Sequence, residues 1–140
     1  MLTGQIQTHL VPFRKTDFLV HSEMRASLEN LFSTASALRG FDLKIVSSYR
    51  SFEVQKNIWN AKAAGARPIF DDHGHELDVK KLSADELMFA ILRWTAVPGA
   101  SRHHWGTDFD FYDASGIRGS YQLQLVPSEY GRGGAFEDAS

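Results

Sequence analysis

The chain has 140 residues, a formal net charge of −2 and 23% charged residues. That length is typical of one domain, and the near-balanced charge, with no basic run or stripe, removes the electrostatic case for nucleic-acid binding. There is no cysteine, hence no disulfide and no thiolate metal site, and no window approaches the ~18 apolar residues of a membrane span.

The opening segment "MLTGQIQTHLVPFRK" lacks the apolar core of a signal peptide. The chain as written is therefore expected in the cytoplasm; a periplasmic or cell-envelope location applies if a leader has been removed. With no repeat and no linker, residues 1–140 read as a single domain. "SEMRASLENLFSTASALRG" predicts an amphipathic helix with Met24, Leu28, Leu31, Phe32, Ala35 and Leu38 on one stripe and Gly40 as its stop. "FDLKIVSS" alternates like a strand, with Leu43 and Ile45 opposed to Lys44. A second helix follows, with Ser51 as N-cap and Gly65 at its end.

Residues 66–82 read as a polar excursion. Ser83 and Glu86 then make a capping-box pattern ahead of Leu87, Ile91 and Leu92, Leu82 is placed to staple onto Leu87, and this third helix should end near Thr95. "TDFDFYD" predicts a strand with Phe109 and Phe111 on one face and Asp108, Asp110 and Tyr112 on the other. "SYQLQLV" predicts another, paired with it as a hairpin across "DASGIRG". Helices come early and strands late, so the expected class is α+β, a small antiparallel sheet flanked by helices. The tail "PSEYGRGGAFEDAS" reads as a chain cut in mid-domain or a flexible terminus.

Three clusters could carry chemistry. His103 lies just before Gly106, which permits a sharp turn, and Asp110 follows on the non-core face of the strand. Imidazole plus carboxylate suits zinc, although the same residues could merely hydrogen-bond at a strand entry, and Asp108 shares the face of Asp110. Arg50, in "SSYRS", sits between a strand and a helix start, where a guanidinium can clamp an anion or stabilise an oxyanion; it could equally pair with an aspartate. "DDHGHELD" offers His73 and His75 among acidic residues, a pattern more often a solvated loop than a metal site.

Taken together, Ser47, Tyr49, Arg50, Ser51 and Gln55, followed by Ser101, His103, Gly106 and Asp110, resemble the two signature blocks, S-x-Y-R-S…Q and S-x-H-x-x-G-x-x-x-D, of the VanY-type D-alanyl-D-alanine carboxypeptidases. These belong to a wider group of zinc peptidases that includes the lysostaphin-type enzymes. The similarity is read from about Gly40 onward. It implies a zinc-peptidase-like fold and a zinc cofactor held by His103 and Asp110, which decides against Asp108. It implies that Arg50 polarises the scissile carbonyl and that Tyr49, Gln55 and Ser101 help hold the substrate. The implied reaction is hydrolysis of a peptide bond, typically next to D-Ala, in a peptidoglycan stem peptide or muropeptide.

The family's third block, E-x-W-H, would supply a general base and a third zinc ligand. This sequence has no histidine after His104, and neither Glu129 nor Glu137 stands in that context. The expectation is a C-terminally truncated member, inactive alone, unless His104, His73, His75 or His9 substitutes. Truncation would leave core uncovered and favour self-association. The rival reading is a catalytically incomplete module that binds peptidoglycan peptides.

Overall fold

The computed structural model describes residues 3–117, and these fall into two compact units. One comprises residues 3–8 together with Arg50–Trp105; the other comprises His9–Tyr49 with residues 106–117. The two are taken in turn.

The second unit is built on two small antiparallel sheets. Strands β1 (Leu10–Pro12) and β2 (Leu19–His21) pair with Val11 opposite Val20. This short hairpin has no sequence signature of its own, because three residues per strand are too few to show alternation. Helix α1 (Arg25–Arg39) follows, and the Gly40 N–H closes it on the Ser36 carbonyl. Strands β3 (Leu43–Ser47) and β4 (Asp110–Asp113) pair with Leu43 opposite Asp113 and Ile45 opposite Phe111. The register breaks after Ile45, so that Ser47 faces Asp110.

Alternation along β3 and β4 sends one set of side chains inward. Phe13, Val20, Leu28 and Phe32 are buried together, and Val11, Leu43, Ile45, Phe109 and Phe111 pack against them. Phe32 meets Phe13 edge-on, with ring centroids 5.4 Å apart, a favoured aromatic geometry. The predicted stripe of α1 is narrower than expected. Leu28 and Phe32 are buried, whereas Leu31 and Leu38 are 46% and 77% exposed. The partner of β4 within the described residues is β3; the expected strand at "SYQLQLV" lies outside them.

The first unit is mainly helical. Helix α2 (Phe52–Ala63) starts where the Ser51 side chain accepts from the Val54 N–H at 3.2 Å. Helix α3 (Ala84–Trp94) starts at Ser83, with both hydrogen bonds of the capping box formed, and ends at Thr95. The connection between them is more anchored than its polar composition implies. Ile69 is buried, Phe70 bridges to Glu76, and the Trp94 indole donates to the Phe70 carbonyl at 3.0 Å. Asp72 and Arg93 form an ion pair. A single turn of 3-10 helix, Arg102–Trp105, closes the unit. Among the described residues no helix is long and apolar enough to cross a membrane.

Candidate functional site

Four of the residues singled out in the sequence stand in the first unit. Arg50 immediately precedes the α2 cap, so the start of the helix fixes its backbone. Its N–H donates to the His103 carbonyl at 3.1 Å. Its own carbonyl receives the His104 Nδ1 at 2.7 Å. The chain at residue 50 is therefore tied twice to the turn that carries His103, which is itself buried. Ser101 is buried one turn earlier, and its carbonyl accepts from the His104 N–H. Gln55 is 1% exposed on the inner face of α2, and its Nε2 donates to the Ala96 carbonyl at 2.7 Å. Its Oε1 is buried without a hydrogen-bond partner among the described residues. An open acceptor of this kind is costly unless something donates to it.

Tyr49 and Asp110 stand in the second unit. The Tyr49 N–H donates to the Leu19 carbonyl at 3.2 Å, which holds the middle of the "SSYRS" block against β2. Asp110 opens β4 opposite Ser47, beside the register break, and is half-buried. Gly106 has φ +69°, and a Cβ there would lie 2.6 Å from Leu10 Cδ2 and 2.9 Å from the His21 nitrogen. The turn therefore requires glycine both for its left-handed backbone and for the close approach to β2, where the Gly106 carbonyl accepts from the His21 N–H at 2.7 Å. Within the second signature block, this glycine thus has a defined structural cause.

Sequence reasoning missed Lys62. Its ammonium donates to Thr95 Oγ1 at 2.6 Å. Burial, and then the neighbouring guanidinium groups of Arg67 and Arg50, push its pKa below the ordinary lysine value. Lys62 thus lies close enough to Arg67 and Arg50 for their charges to interact. A lysine ten residues along a helix has no signal in a motif search. The mutual repulsion of the cations, visible only in three dimensions, marks it.

Of the substitute ligands, His104 is engaged at both ring nitrogens: Nδ1 with the Arg50 carbonyl and Nε2 with the Gly99 N–H at 3.0 Å. It has no lone pair to offer a metal. His75 and His73 lie on an exposed loop, where Asp71 accepts from both backbone N–H groups and from the His75 ring. His9 stands in the second unit with its ring 5.2 Å from that of His21. Among the described residues no group of three His, Cys, Asp or Glu side chains is arranged to hold a metal ion. His103 stands in the first unit and Asp110 in the second; imidazole and carboxylate are zinc ligands in kind, and a catalytic zinc takes three protein ligands.

Small antiparallel sheets with helices, and a Ser-x-His-x-x-Gly turn leading into a strand, define a carboxypeptidase-type α+β fold. A family model described as VanY, D-alanyl-D-alanine carboxypeptidase, matches residues 17–130, and the chain belongs to that family. The match begins well before Gly40 and so includes β2 and α1, which carry no signature residue and whose membership was not legible from the motifs. An uncharacterised protein of Haemophilus influenzae is 37% identical over 99 residues, which cover 69% of this chain and 68% of its own. Among solved structures, VanYB in complex with D-alanine-D-alanine is 25% identical with a TM-score of 0.60, over 79% of this chain and 54% of that one. A mutant of the vancomycin-resistance D,D-pentapeptidase VanY from a VanB-type cassette, in complex with Zn(II), is 26% identical with a TM-score of 0.57, over 79% and 55%. The LdcB LD-carboxypeptidase shares the fold at 21% identity and a TM-score of 0.58, over 87% of this chain and 50% of its own. The chain spans about half the length of these solved structures.

Proposed function

We propose that the chain is the part of a zinc peptidase that recognises a peptidoglycan stem peptide and contributes two zinc ligands, His103 and Asp110, to hydrolysis of a peptide bond next to D-Ala. The observation that carries this reading is the family match across residues 17–130, which includes both signature blocks in order. Similar solved proteins were captured with D-alanine-D-alanine and with Zn(II), which supports the substrate class and the metal.

Each residue has a role that follows from its chemistry. Arg50 would donate to the scissile carbonyl oxygen, and its planar fork suits an oxygen that gains negative charge during attack. Lys62 and Arg67 reinforce the positive potential in which that charge develops. Gln55 offers its open Oε1 to an N–H donor, and Ser101 and Tyr49 complete the substrate contacts. A bound zinc would supply Lewis acidity at the carbonyl. No E-x-W-H block occurs in these 140 residues, so zinc should bind them weakly and turnover by this chain alone should be absent.

The second reading, from the same two matched blocks without the third, is a peptide-binding module without hydrolysis. One set of assays separates the two. A peptide ending in D-Ala-D-Ala is titrated into the chain with and without zinc, and release of D-Ala is followed. Zinc-strengthened binding supports the peptidase reading, and zinc-independent binding supports the module. No binding under either condition contradicts both.

A further inference from the structure

We infer that His104 is a positioning residue: a buried imidazole, fixed in the Nδ1–H tautomer and backed by Gly4, that holds the Arg50 backbone in register with the turn bearing His103. This rests on the roles assigned above to Arg50 and His103. His104 itself touches neither substrate nor metal in this account.

The hydrogen bonds determine the tautomer. Gly99 N–H donates to Nε2 at 3.0 Å, so Nε2 carries a lone pair. Nδ1 faces the Arg50 carbonyl at 2.7 Å and must carry the proton. The ring is fully buried, which makes loss of either bond expensive. Together with the Arg50 N–H on the His103 carbonyl at 3.1 Å, the ring makes a two-way clamp between residue 50 and residues 103–104. A leucine of similar volume would fill the space and supply neither bond. A glutamine can supply both, an N–H for Arg50 and an oxygen for Gly99.

Gly4 is the backstop. A Cβ there would lie 2.5 Å from His104 Nδ1 and 2.9 Å from the Phe52 nitrogen, and the residue has φ +77°. Its carbonyl also accepts from the Phe52 N–H, in the first turn of α2. Gly4 precedes the region matched by the family model, which starts at residue 17. The N-terminal segment is therefore part of the support for Arg50 in this chain, although the family pattern does not include it.

The test uses the whole chain and three variants: H104Q, H104L and G4A. Ring-nitrogen NMR of the wild type should show His104 as the Nδ1–H tautomer, with a slowly exchanging Gly99 amide. H104Q should keep Gly99 protection and the Arg50 and His103 amide shifts. H104L should lose them while retaining its helix content, and zinc affinity should drop about tenfold, as when an outer-shell partner is removed. If H104L does not fold, G4A serves instead: it should displace the Arg50 and His103 amides with the imidazole still present. An Nε2–H tautomer, or H104L and G4A spectra unchanged at Arg50 and His103, overturns the inference. If H103A binds zinc as tightly as the wild type, the zinc assignment fails on its own, and the tautomer and amide readouts still decide the role of His104.

Discussion

The Asp113 carboxylate accepts from the Asp42 N–H at 2.8 Å, the Ser115 N–H at 3.0 Å and the Ser115 hydroxyl at 2.5 Å. Burial alone would raise its pKa, but these donors together hold it below the ordinary carboxylate value. Because the folded pKa is depressed, the stabilisation is fully present above the unfolded value of about 4 and is lost as pH falls through the folded one. Asp113→Ala should cost about 1.5–3 kcal/mol, since hydrogen bonds to a charged acceptor are lost. Denaturant melts at pH 7 and pH 3 should show the gap between wild type and variant narrowing at the lower pH. At Arg50 the issue is recognition instead. Arg50→Lys keeps the charge and loses the fork, so affinity for a D-Ala-D-Ala peptide should fall about tenfold with little change in melting temperature. Calorimetric titration of the peptide checks this.

At the scale of elements, caps and short-range patterns are legible in the sequence, and long-range partners are not. Ser51 and Ser83 were identified as N-caps because each helix start is a local chemical event: one side chain and one amide three residues on. Ser51→Ala should cost about 1 kcal/mol, and Ser51→Asp should restore most of it, as read from urea midpoints. The β1–β2 hairpin was missed because pairing over three residues depends on the packing of Val11 and Val20 in the core, not on alternation. Ile69 was hidden in a polar run for the same reason: burial of one side chain leaves no period to detect. The site divides the same way. Arg50, Ser101, His103 and Asp110 could be put forward from sequence alone because their spacing along the chain resembles a family pattern. Lys62, Gly4 and the clamp at His104 were not, because residues far apart in sequence meet only after folding.

For the whole molecule, two consequences follow. Phe89 on α3 is 65% exposed and Leu38 on α1 is 77% exposed, so apolar surface is available on each unit. Mass from light scattering should rise with concentration, and Phe89→Asp should suppress part of that rise; a constant monomer mass would remove self-association from the account. The central claim is the zinc assignment, and calorimetric titration of zinc into the wild type, H103A and D110A tests it most directly. The account predicts one weakly bound zinc per wild-type chain and at least about tenfold weaker binding in either variant. Equal zinc affinity in all three proteins would contradict it.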